Sequence, residues 1–266
     1  MIWIGILLLT ASAIDWHDLD NGRKELRIDG KPVLVYNSGM ELANGAPEEK
    51  RRCCYVHPLY APNGVVVTDD FPKDHWHHRG VFWTWPIVTY EGVKYDMWMM
   101  RGGMQRRTVS VKRSGASLTA ENGWFIGEKQ IVRERVRITP ESAAKIQFAL
   151  EWEALAGPVE LVGAPEENKG YGGFSIRFAP RTSTEIRSER GDEPKDTDAV
   201  THKWVELNAR YTNGAAAVRI DDPEGSNTWC VRHYGFLGVN FPGLKPYTLT
   251  PGKPMRKTYT VTLRVK

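Results

Sequence analysis

Short runs of alternating apolar and polar residues, each closed by a turn rich in glycine or proline, recur along this chain and leave few folds open to it. Successive side chains of a strand point to opposite faces, so a run of this kind buries one face and wets the other. Such runs cover Arg107–Arg113, Ser117–Trp124, Gln130–Ile138, Lys145–Glu153, Phe174–Phe178, Trp204–Tyr211, Ala215–Ile220 and Tyr259–Val265. Their spacing of roughly ten residues is that of sandwiches and barrels. Earlier in the chain, two runs within Glu25–Tyr36 meet at Asp29-Gly30, a hairpin signal, and Asn63–Thr68 and Gly80–Trp85 have the same strand-like composition. The one stretch with helical propensity begins at Ala144, but Ile146, Phe148, Leu150 and Trp152 alternate, which predicts a strand after a turn at Thr139–Ser142. Ser188–Thr201 is polar and reads as a surface loop. No linker divides the chain and no fixed-period repeat is present, so the expectation is all-β: one antiparallel β-sandwich domain over residues 14–266.

Composition removes several classes of function. The net charge of +4 is spread along the sequence, and Arg51-Arg52 and Arg106-Arg107 are only pairs, so no nucleic-acid partner is expected. Ile2–Leu9 is apolar and is followed by Ala11-Ser12-Ala13, a small-x-small pattern suited to signal-peptidase cleavage. The run is too short for a transmembrane span, which needs about 20 residues. Residues 1–13 are therefore expected to be a signal peptide, and the protein secreted or periplasmic. Cys53, Cys54 and Cys230 make an odd count with neither a disulfide framework nor zinc spacing.

The chemistry concentrates in residues 55–85, which hold four of the seven histidines and three of the ten tryptophans. Lys73, Asp74, His75, Trp76, His77, His78 and Arg79 follow one another, although a buried strand would avoid ionisable groups. Two chemistries fit. In an extended segment His75 and His77 share a side, and with His57 or His233 they could hold a divalent metal that activates water or polarises a carbonyl; the His57, His75, His77 set is the first candidate. Without a metal, Asp74 could orient an imidazole for proton transfer and Arg79 could steady developing negative charge. Glu128, Glu134, Glu166 and Glu167 are distant carboxylate partners among which sequence does not choose. The chain has no G-x-S-x-G elbow, phosphate loop or H-E-x-x-H. Lys169 to Gly173 reads as a tight turn whose Lys169 and Tyr171 could border a pocket. Near the C-terminus, Arg232 and His233 form a second polar cluster. Trp83, Trp85, Trp98, Tyr171 and Trp229 suit either sugar stacking or a β core.

Residues 57–85, HPLYAPNGVVVTDDFPKDHWHHRGVFWTW, resemble the signature of a soluble family labelled "methane oxygenase PmoA". The stretches KGYGGFSIRF (169–178), WCVRHYGFLG (229–238) and TLTPGKP (248–254) are similar to that family too, so the resemblance runs from about Glu25 to the end. It implies a β-sandwich of the kind seen in galactose mutarotases, often exported and associated with sugar and polysaccharide degradation. It does not imply methane oxidation, which needs several membrane helices. The motif positions it carries over are His57, Lys73, Asp74, His75, His77, His78, Arg79, Tyr171, Arg232 and His233; Trp76 stands where the family commonly has proline. The expectation is thus an exported enzyme acting on a sugar or modified glycoside, of hydrolase, lyase or epimerase type. His75, His77, His78, Asp74 and Arg79 would be catalytic, and His57, Lys73, Trp83, Tyr171, Arg232 and His233 would bind substrate. The alternative is a non-catalytic carbohydrate-binding or scaffold module. His57, His75 and one of His77 or His78 are expected to converge with His233 or Arg232 in one cleft, where their mutual repulsion depresses at least one imidazole pKa.

Overall fold

The hairpin at Asp29-Gly30 forms as its sequence requires. Both residues take positive φ (51° and 74°), which matches the twist of the strands Lys24–Ile28 and Lys31–Asn37 on either side. The computed structural model describes residues 12–266, so the leader expected at 1–13 lies outside the described residues except for Ser12 and Ala13. Elsewhere the alternating runs become antiparallel strands, and the described helical structure is confined to short 3-10 turns at Asp20–Gly22, Glu48–Lys50 and Glu166–Asn168. The all-β, antiparallel expectation holds.

Two nine-stranded sheets dominate. The front sheet runs, in spatial order, Ile14–Asp18, Lys24–Ile28, Lys31–Asn37, Tyr55–Leu59, Val81–Thr84, Gly173–Arg177, Phe236–Asn240, Thr228–Arg232, Thr197–Thr201. The back sheet runs Gly191–Asp192, Arg181–Ser188, Trp204–Tyr211, Gly214–Asp221, Met255–Val265, Lys145–Ala154, Lys129–Ser142, Ser117–Ile126, Met104–Ser114. A third sheet of four short strands contains Tyr247–Leu249, Val159–Val162, Ile87–Tyr90 and Val93–Tyr95.

One apolar core joins the two large sheets. Phe174 of the front sheet meets Phe148 and Tyr259 of the back sheet at ring separations of 5.4 and 4.6 Å, and Trp85 packs on Trp124 and Trp152 at 5.4 and 5.2 Å. Each aromatic so buried contributes about 1.5–3 kcal/mol. Glu134, fully buried in this core, accepts hydrogen bonds from Asn122 Nδ2, Trp124 Nε1 and Trp152 Nε1, each at 2.9 Å, with Arg106 Nε at 3.5 Å.

Three local expectations change. The turn placed at Thr139–Ser142 moves on, because the strand continues through Ser142 with a bulge and reverses at Ala143-Ala144. Ser188–Thr201 is not wholly loop: Thr197–Thr201 pairs with Thr228–Arg232 to finish the front sheet, held there by Arg232 donating to Thr197 O. Asn63–Thr68 forms only single bridges, Tyr60 with Val66 and Thr68 with Phe178.

Period-two alternation in the front sheet places the site. Val81, Trp83, Phe174, Ile176, Trp229, Val231, Leu237 and Val239 enter the core. Their neighbours Phe82, Cys230 and Phe236 face the other way, where with Tyr55 and Trp98 they make a second, smaller apolar cluster. The long connection from Leu59 to Val81 folds back over that outer face. Gly80 lets it close, since a Cβ there would collide with the carbonyl oxygen of Val56.

Candidate functional site

The histidine segment is built from turns. His75 N donates to Pro72 O (2.9 Å) and His78 N to His75 O (2.8 Å), so residues three apart come to lie one above the other. His75 and His78 stack with ring centres 4.7 Å apart and planes 6° from parallel, and His77 stands edge-on to both at 5.5 and 4.5 Å. An extended segment would have paired His75 with His77; the turns pair His75 with His78 instead.

Arg79 holds these turns in place. Its guanidinium lies 3.5 Å from the Phe71 ring centre and donates to the carbonyls of Trp76 and His78 at 2.6 Å and to that of Lys50. Asp70 Oδ1 is 3.7 Å from its Nε. Arg52 adds a second clamp, bonding His77 O (3.3 Å), Trp98 O (3.4 Å) and Met97 O, and so draws Trp98 against the histidines.

The result is an open cleft of about 370 Å³ on the outer face. His78, Trp98, Cys230 and Phe236 form its buried base, and His75, His77, Tyr171, Lys169, Arg232 and Tyr234 border it. Tyr234 stacks on His75 at 5.1 Å, and Tyr171 lies 4.8 Å from Trp98. Asp74 sits beside the cleft, receiving two hydrogen bonds from Arg177 Nη2 (2.7 and 2.9 Å). His75 Nδ1 approaches Asp74 Oδ2 to 3.0 Å but off the hydrogen-bond line.

Electrostatics divide these groups. Burial holds the His77 imidazole at about 3, helped by His75 and the cations Arg52, Lys50 and Arg79. Burial also holds His78 well below the ordinary histidine value, with His77, His75, Arg177 and Arg79 acting in the same sense. Both are neutral at physiological pH and can accept as well as donate a hydrogen bond. Burial pushes the Asp74 carboxyl up, but the Arg177 hydrogen bonds and the nearby His75 imidazole outweigh it and leave it below the ordinary value. Burial raises the Cys230 thiol to about 12, so it is an inert part of the floor.

Of the residues singled out by sequence, His75, His77, His78, Trp98, Lys169, Tyr171 and Arg232 line one cleft, with Asp74 adjoining. The others lie elsewhere. Arg79 is fully buried under the loop, where its aromatic and carbonyl contacts take it away from the cleft. His57 bonds Thr68 Oγ1 through Nδ1 (3.0 Å) outside the lining, and burial together with Arg79 lowers it to about 4. Trp83 belongs to the core, parallel to Phe174 at 6.5 Å, and Lys73 is exposed. His233 turns to Asp196 (3.0 Å) and borders a separate groove with Thr184 and Glu185. His57, His75 and His77 therefore do not assemble as a ligand set, and among the described residues no three His, Cys, Asp or Glu side chains are grouped to hold an ion. The expected convergence is met by Arg232 and not by His57 or His233. Glu134 is in the core, Glu128 pairs with Arg107, and Glu167 pairs with Lys169 at 2.9 Å.

Sequence reasoning passed over Arg177, Tyr234, Phe236 and Met99. The first three lie inside the motifs at 169–178 and 229–238, and alternation from core residues Ile176 and Leu237 marks Arg177 and Phe236 as outward-facing. Met99 had no such signal, because the loop that carries it follows no period.

A family model described as "Family of unknown function (DUF6807)" matches residues 23–264. The chain belongs to this family. That finding corrects the expected kinship with the family labelled methane oxygenase PmoA. No curated protein matches the sequence. Among solved structures, the chain is similar to a galactose mutarotase related enzyme from Lactobacillus acidophilus, with 10% identity, 96% of this chain and 100% of that one covered, and a TM-score of 0.47. It is also similar to a heparan sulfate lyase, HepC, from Pedobacter heparinus (7% identity, 94% and 36% covered, TM-score 0.43) and to a heparinase III (12%, 93% and 30%, TM-score 0.33). The chain spans about a third of the length of these two lyases. Among the described residues no helix is long and apolar enough to cross a membrane.

Proposed function

We propose that this DUF6807 protein is an exported carbohydrate-active enzyme whose cleft moves a proton on a sugar or modified glycoside. The observation that carries the reading is the chain of contacts Arg177–Asp74–His75 at the edge of an aromatic-walled cleft. Arg177 fixes the Asp74 carboxylate, and the carboxylate faces His75 Nδ1, which leaves Nε2 as the atom able to exchange a proton with a ligand. A small rotation of the His75 ring would turn its 3.0 Å approach to Asp74 into a hydrogen bond, because imidazole χ2 has a broad minimum. Neutral His77 and His78 would hydrogen-bond sugar hydroxyls, with Tyr234 and Trp98 offering flat faces for a pyranose ring. The export part of the proposal rests on the leader-like residues 1–13, and N-terminal sequencing of the protein made in its own host tests it separately.

The test is a panel of oligosaccharides and oxidised sugars assayed with the wild type and with His75→Asn. Acid/base catalysis of this kind contributes about 10²–10⁴-fold, so the variant should lose turnover by that factor while keeping its affinity. A wild type that binds sugars without turning any over, and loses affinity only on Tyr234→Ala, would instead be a binding module.

A further inference from the structure

Arg177 and Arg232 flank Phe236 as its cross-strand partners on either side, so three side chains form one lateral row on the outer face. Directly opposed residues of this kind have Cβ atoms about 5 Å apart. Neither guanidinium is fully engaged by the protein. Arg232 gives Nη1 to the carbonyls of Thr197 and Val231 and Nη2 to Asp198, while its Nε makes no hydrogen bond among the described residues. Arg177 gives Nη2 to Asp74, and its buried Nε and Nη1 have no partner among the described residues. Its other contact is with the Tyr234 ring, 4.8 Å from the ring centre, and it lies outside the cleft lining. Lys169 lines the same cleft, and its partner Glu167 is 78% exposed and outside the lining. Two cations thus border the cleft, each with an acidic partner behind it in Asp198 and Glu167, and among the described residues no Asp or Glu lines the cleft itself.

We propose that the cleft takes an anionic sugar, one bearing a carboxylate or a sulfate ester, with the acidic group received by Arg232 and Lys169 and the ring lying along Tyr234. The proposal rests on the carbohydrate reading above and names its substrate class. Hydroxyl groups alone give no reason for two cations on the lining, whereas an oxyanion would meet the remaining Nε of Arg232 and the Lys169 ammonium with complementary charge. The anion would also supply the negative charge that the lining lacks, next to imidazoles that burial, helped by the surrounding cations, keeps uncharged.

Calorimetric titration of the full chain with tetragalacturonate, a sulfated galactose tetrasaccharide and neutral cellotetraose tests this. At low salt at least one acidic ligand should bind about tenfold or more tighter than the neutral one, and the gap should narrow in high salt. Lys169→Gln should weaken the acidic ligand about tenfold and leave the neutral one unchanged. Arg232→Lys, which keeps the charge and loses the Nε donor, should weaken the acidic ligand as well, and a thermal melt of this variant separates that loss from any loosening of the strand that Arg232 holds at Thr197 O. Which acid binds separates carboxylate from sulfate. Equal or tighter binding of cellotetraose, or no effect of Lys169→Gln, overturns the anionic assignment and leaves the carbohydrate site standing. Failure of all three ligands to bind overturns both.

Discussion

Acid should weaken this fold through its histidines, and His57 allows one contribution to be measured alone. In the folded chain burial and Arg79 hold His57 at about 4 against an ordinary 6.5. Between those values the unfolded chain takes up a proton that the folded chain refuses, so His57 makes stability fall as pH drops from 6.5 toward 4. At about pH 5 its share is at most about 2 kcal/mol. His77, held at about 3, adds at most about 2 kcal/mol more in the same direction, and His78 acts with them. Asp70 opposes all three. Burial raises its carboxyl from 3.8 to about 7, so the folded chain binds a proton first and gains about 3 kcal/mol by about pH 5. Asp70 offsets only part of the histidine shares, and the mixture of signs makes the wild-type curve a poor readout and a variant difference a good one.

His57→Asn removes the titration while an amide can still meet Thr68 Oγ1, and any packing loss is common to both pH values. Urea unfolding followed by tryptophan fluorescence, extrapolated to water at about pH 7.5 and about pH 5, gives the double difference. The variant should lose about 2 kcal/mol less than the wild type on acidification. An identical loss in the two proteins refutes a histidine held neutral by burial at this position. One consequence bears on the cleft. His77 stays neutral down to about 3, and His78 lies well below its ordinary value. Charging of these two rings therefore does not set the activity profile near neutrality, contrary to what three adjacent histidines suggest in the sequence.

Two further outcomes follow from named contacts. Asp74→Asn should lower kcat by about 10²-fold or more with KM little changed, as loss of an orienting carboxylate does; because Arg177 is buried and Asn keeps one acceptor for it, stability should fall by about 1–3 kcal/mol, and a lowered melting temperature with unaltered kcat would refute the positioning role. Glu134→Ala should destabilise by about 3–5 kcal/mol, since it strands Arg106 and two buried indole N–H groups, whereas Glu134→Gln keeps an acceptor and should cost about 1–3 kcal/mol; denaturant melts that rank the two equally would show that the carboxylate's bonds contribute little.

The sheets were legible because their signal is local. Ile146, Phe148, Leu150 and Trp152 declare a half-buried strand with no knowledge of what covers them, and Asp29-Gly30 declares a turn through its own backbone. Lys129–Ser142 overran its expected end because pairing with Lys145–Ala154 overrode the proline at Pro140. Thr197–Thr201 became a strand for a similar reason. Asp198 and Ala199 interrupt the strand-favouring Thr197, Val200 and Thr201, and the open edge of Thr228–Arg232 supplied the partner.

The site was legible in composition and not in geometry, and Arg79 shows why. In sequence it is a cation beside three imidazoles, as fit for chemistry as Asp74. What separates the two is a neighbour far along the chain. Arg177 reaches Asp74 from a strand 103 residues away and holds it at the surface, while Phe71, Lys50 and the loop's own carbonyls draw Arg79 inward. A charged side chain becomes functional or structural according to which partners the sheet delivers. Those deliveries follow strand order, in which Gly173–Arg177 lies between Val81–Thr84 and Phe236–Asn240. Strand order is the long-range information that alternation does not carry. Once it is known, alternation places Ser175 and Arg177 together on the outward face of the strand at 173–177, and Arg177 is the one long enough to reach Asp74 across it.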